Sequence, residues 1–133
     1  MNKRRAWIIG TTMVVTFAIV RSMLGLSPDS DFNVGRYNIH HLFTGLLLIT
    51  VSGIPLALFS KSSIILDAMA ALFGAGLSLA LDEWVYLIVT DGTNASYLLP
   101  VSLKGGITMV GLAVAYVAIL YILSRDKQPP SNH

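Results

Sequence analysis

The chain contains no cysteine. That excludes disulfides, thiolate metal sites and cysteine nucleophiles, and it says nothing about redox compartment. Charge is also scarce. Only 12% of the 133 residues are Asp, Glu, Lys or Arg, about half the share of an ordinary soluble domain. The formal net charge of +2 is too small to suggest a nucleic-acid partner. No internal repeat or low-complexity tract breaks the pattern, and little length remains for a soluble domain. What the chain has instead is apolar sequence: 54% of it is hydrophobic, in runs long enough to cross about 30 Å of hydrocarbon.

Four such runs are predicted as helices, at about 6–26, 38–59, 63–90 and 104–123. The expected fold is all-α: an integral membrane four-helix bundle forming one domain over 1–123, with a polar tail at 124–133. Met1 to Arg5 is a basic leader. The run behind it has no convincing small-x-small cleavage site, so it is predicted to be a retained first helix rather than a signal peptide. Arg21 is expected near an interface, with its stem snorkelling. Pro28 lies in a polar turn, and Pro55 sits inside the second helix, where a proline can kink it. Ser62 or Ser63 is the expected N-cap of the third helix. The segment 95–103, with Tyr97 and Pro100, resists assignment. Asp67 is expected to be a solvated or first-turn carboxylate. Trp7 and Trp84 are expected as interface anchors.

Lys and Arg set the expected orientation. Lys3, Arg4, Arg5, Lys61, Arg125 and Lys127 fall on one side, against Arg21, Arg36 and Lys104 on the other. The positive-inside rule then places both termini on the cytoplasmic side of a multi-pass protein of the cell membrane.

The polar residues inside the apolar runs are the functional candidates. His40 precedes Lys61 by 21 residues and Asp82 follows it by 21. At 1.5 Å per residue both lie roughly 31 Å from the turn, so an antiparallel hairpin brings His40, His41, Asp82 and Glu83 to one height. An aspartate at mid-helix costs about 2.5 to 3.5 kcal/mol, so these acids need partners: the two histidines, Arg21 or Arg36. Imidazole and carboxylate together suit zinc, iron or manganese. Neighbours on a helix point about 100° apart, so one member of each pair is expected to contact the ion. His41 and Asp82 are favoured because each continues a row of small residues: His41 with Gly45 and Ser52, and Asp82 with Ala70, Gly74 and Ser78. The other members would orient these ligands, bind a second ion or pair with arginine, and Glu83 would be the general base of a catalytic site.

Three readings of this cluster stay open. It can be a divalent-metal site formed by His40, His41, Asp82 and Glu83, possible in a hydrolase or oxidase acting on a membrane-soluble substrate. It can be a structural polar network in a non-enzymatic subunit or scaffold of a larger membrane complex. It can be part of a proton or ion transporter. All three imply the lipid bilayer as surroundings, and the small size favours a homo-oligomer or a membrane-protein partner.

The pattern His40-His41-x-x-x-Gly45, then Gly74-x-Gly76 leading to Asp82-Glu83, resembles a group of small uncharacterised polytopic membrane proteins of bacteria and archaea. The resemblance spans about 36–103 and includes a loose echo at Ser96-Tyr97 and Ser102. It implies that the four polar residues belong to one site, and it supplies no reaction.

Overall fold

In the computed structural model, described for residues 2–26, 33–34, 37–38 and 40–124, the chain is all-α. Four helices are long and apolar enough to span a membrane: α1 (Lys3–Leu26), α2 (His41–Leu58), α3 (Ile64–Val89) and α5 (Pro100–Leu123). A one-turn helix, α4 (Asn94–Tyr97), lies between α3 and α5. The only extended pairing among the described residues is a two-residue antiparallel ladder, Asn33–Val34 against Tyr37–Asn38. The basic tail residues Arg125 and Lys127, and Arg36, lie outside the described residues.

Local chemistry explains the helix ends. Ser63 caps α3, its side chain accepting from the Leu66 amide at 3.2 Å, the usual use of a serine before a helix. Thr93 caps α4 in the same way. The last span starts at Pro100, not near Lys104 as the apolar run suggested. Proline at the first helical position loses no hydrogen bond there, so the helix gains a turn. Pro55 sits one turn before the end of α2, and Phe59 is already extended.

Helix α3 is the centre of the bundle. It packs against α1, α2 and α5, and α1 also touches α5. Its charged contacts give the directions. Arg5, near the start of α1, meets Asp67 near the start of α3, and Arg21 meets Asp82 further along both helices. Helices α1 and α3 therefore run parallel, with α2 and α5 antiparallel to them. Small residues permit the close approach. A Cβ on Gly45 would lie 2.6 Å from Gly76 O and one on Gly76 2.8 Å from Gly45 O, so α2 and α3 touch backbone to backbone. On another face of α3, a Cβ at Gly74 would overlap Thr12 of α1, and one turn on Ser78 Oγ donates to Met13 O at 2.9 Å.

Asp67 meets one of its two expected descriptions and not the other. It lies in the first turn of α3 as its position implied, yet it is buried rather than solvated. Arg4 Nη2 approaches it at 3.0 Å and Arg5 Nε at 3.4 Å, and Arg5 also donates to Lys61 O at 2.5 Å. The basic leader is thus part of α1 and clamps the α2–α3 turn.

Because the α2–α3 contact is between backbones, Gly76→Leu is expected to separate these helices while Gly111→Leu, where an added Cβ meets nothing within 4 Å, is tolerated. Overpacking of this kind costs about 1–3 kcal/mol or more. Thermal unfolding of both variants in detergent checks the difference; equal stability would contradict the packing described.

Candidate functional site

The end of the bundle that holds Asp82 and Glu83 contains two polar networks, not one. Adjacent residues on α3 diverge by about 100°, and here the step sends Asp82 toward α1 and α5 and Glu83 toward α2.

Asp82 is 3% exposed. Arg21 reaches it from α1, with Nε at 2.8 Å and Nη2 at 2.6 Å from Oδ1. Tyr97 donates its hydroxyl to the other oxygen, Oδ2. Burial pushes the Tyr97 phenol well above its usual range, and the Asp82 charge adds to this, so the phenol keeps its proton and remains a donor. The Arg21 guanidinium also donates to Ser102 O, Ser102 Oγ and Tyr97 O at 3.1, 3.2 and 3.3 Å. It stacks over the Tyr97 ring, its Cζ 4.1 Å from the centroid. Its side chain is only 13% exposed; the expected snorkelling does not occur, because the anion and these carbonyls solvate the cation inside the protein. Gly106 of α5 faces this pair, where a Cβ would overlap Asp82 Oδ1.

Glu83, also 3% exposed, serves α2. The α2 N-cap, His40, makes no side-chain cap bond. Instead Glu83 Oε2 accepts from the Leu42 amide at 2.8 Å, a carboxylate from a neighbouring helix occupying the place of a capping side chain. Its other oxygen, Oε1, faces both imidazoles, with His41 Nδ1 at 3.3 Å and His40 Nδ1 at 3.8 Å. Both histidines are partly exposed. Tyr86 lies beside His40, ring centroids 6.2 Å apart, and stacks edge-on with Tyr97. The aromatic pair is the seam between the two networks.

The four residues expected at one height are therefore at one end of the bundle, divided differently from the favoured pairing. His41 meets Glu83, and Asp82 meets Arg21. The small-residue row ending in Asp82 faces a neighbouring helix as expected, but that helix is α1. The row facing α2 is Gly76, Ala80 and Glu83. Among the described residues, no group of three or more His, Asp or Glu side chains is placed to hold a metal ion. Tyr97 and Ser102, which spacing alone did not single out, complete the Asp82 network. The usable signal was a buried Arg–Asp pair, which needs further donors and acceptors, with hydroxyls in the adjoining segment. No buried side-chain nitrogen or oxygen among the described residues lacks a hydrogen-bond partner.

Comparison with protein-family models, with curated proteins and with solved structures finds no match to this chain.

Removing one partner of a buried ion pair costs about 3–5 kcal/mol, whereas losing a carboxylate cap costs about 1–2 kcal/mol. Asp82→Asn is therefore expected to destabilise more than Glu83→Gln. Reversible unfolding in mixed micelles measures both; a larger loss for Glu83→Gln would reverse the ranking of the two networks.

Proposed function

We propose that this chain is a structural subunit of a membrane assembly, in which the buried acids hold the four spans in register. The observation that carries this reading is the engagement of both acids by the protein itself: Asp82 by Arg21 and Tyr97, and Glu83 by the α2 N-terminus and two histidines. A carboxylate whose oxygens are occupied by fixed donors is committed to holding helices. The same division appears at the other end, where Asp67 gathers Arg4 and Arg5.

The decisive experiment replaces the Arg21–Asp82 pair as a unit. If its role is structural, Arg21→Gln and Asp82→Asn each lower stability strongly, and the double variant recovers part of the loss, because no charge is then left buried without its partner. The double variant should also keep the stoichiometry of the native complex, measured by native mass spectrometry after mild extraction. A double variant that is stable but has lost a transport or catalytic activity of the wild type would overturn the reading.

A second reading is favoured by one observation, the convergence of two imidazole nitrogens on a single carboxylate oxygen. Two histidines and a carboxylate are donor types suited to zinc, iron or manganese, and His40, His41 and Glu83 would serve as ligands only after their side chains turn from their present positions, which are not arranged around an ion. Asp82 is drawn out of that set by Arg21. Elemental analysis of the purified chain tests it: stoichiometric metal lost in His41→Ala supports this reading, and metal-free wild-type protein removes it.

For orientation, Lys3, Arg4, Arg5 and Lys61 gather at one end of the bundle. By the positive-inside rule this end, and with it both termini, faces the cytoplasm, in the cell membrane. The absence of native cysteine makes the check direct. Ser60→Cys is expected to resist an impermeant maleimide in intact cells while Leu98→Cys reacts; the opposite labelling inverts the topology.

A further inference from the structure

A groove of about 490 Å³ runs between α1 and α5 in the half of the bundle that carries Lys3. Its walls include Trp7, Gly10 and Val14 of α1 and Val117, Ala118 and Tyr121 of α5. The volume is that of a small-molecule site, which spans about 300–1,000 Å³, and the lining is almost wholly apolar. The polar networks at the Asp82 end take no part in it.

Its length limits the occupant. On α1 the lining runs from Ala6 to Val15, about 14 Å at 1.5 Å per residue. That is close to half of a hydrocarbon core of about 30 Å, the depth of one leaflet. A transmembrane helix from a partner needs a seam along the whole thickness, whereas one acyl chain needs half of it.

Charge defines the other end. Lys3 lies four residues before Trp7, on the groove face of α1, and forms no ion pair with another described residue. Arg4 is adjacent, its side chain 65% exposed although it touches Asp67. Trp7 and Tyr121 meet edge-on at the head of the groove, with ring centroids 6.3 Å apart, where amphipathic rings favour the headgroup level. From this combination we infer that the α1–α5 groove binds one acyl chain of an anionic glycerophospholipid, with the phosphate held by Lys3 and Arg4.

Trp7 reports occupancy directly. Trp84, the second tryptophan, is half exposed on α3, and Trp84→Phe leaves Trp7 as the sole tryptophan, excited selectively over the tyrosines. In phosphatidylcholine vesicles this protein is compared with equal mole fractions of chain-brominated phosphatidylglycerol or chain-brominated phosphatidylcholine. The brominated anionic lipid is expected to quench Trp7 at several-fold lower concentration. Lys3→Gln is expected to reduce that preference about fivefold, the effect of one basic residue near anionic lipid. Ala118→Leu, and Gly10→Leu from the opposite wall, fill the groove and should abolish the preference with Lys3 in place; a melting curve shows which variants keep the fold, and either suffices.

Equal quenching by the two lipids overturns the inference. So does a preference that survives groove filling, which would mark generic attraction to a basic end, and so does one indifferent to Lys3→Gln. Weak quenching by both lipids, together with cross-linking of Gly10→Cys between chains, would assign the groove to a second copy of this chain instead.

Discussion

A carboxylate and a guanidinium, both removed from water inside an apolar bundle, constrain this molecule more than any other contact. In a low-dielectric interior each ion is costly alone and tolerable only when its remaining hydrogen-bonding capacity is met. Asp82 and Arg21 meet it by recruiting Tyr97 and Ser102, which draws α4 and the start of α5 over the end of α1. The room for the pair comes from Gly106. One ion pair thus fixes the relative heights of the three spans α1, α3 and α5, and loss of either charge leaves the other stranded.

The central position of α3 follows from the same logic repeated along its length. It carries all three membrane-helix acids, Asp67, Asp82 and Glu83, and each is answered by a different part of the chain: the basic leader, α1 with α4, and the start of α2. Between the acids, Gly74, Gly76 and Ser78 bring backbones close enough for dispersion and polar contacts to hold helices together where lipid supplies no hydrophobic drive. The outward faces remain large and apolar, as bilayer contact requires.

These arrangements bear on function by distinguishing what is spent from what is free. The acids at the Asp82 end are absorbed into structure, and the histidines share theirs with a helix cap. The features turned outward are the apolar groove and the basic end beside it. The structural role and the lipid site proposed above both rest on this division between occupied acids and an open apolar face.

The sequence alone was sufficient for the four spans, for a serine cap at Ser62 or Ser63, and for the shared height of His40, His41, Asp82 and Glu83, because these depend on local hydropathy, capping chemistry and a fixed rise per residue. It was also sufficient to show that the row ending in Asp82 faces protein, since small residues every fourth position leave a channel for a neighbour. It could not say which neighbour. Asp82 and Glu83 differ by one step of about 100°, and only the placement of α1 and α2 around α3 decided that Arg21 takes the first and His41 the second. Burial of Asp67 was equally hidden, because its partners Arg4 and Arg5 lie some sixty residues away and meet it only when α1 docks parallel to α3. Partner choice among matched polar groups is a property of helix packing, which one-dimensional spacing does not encode.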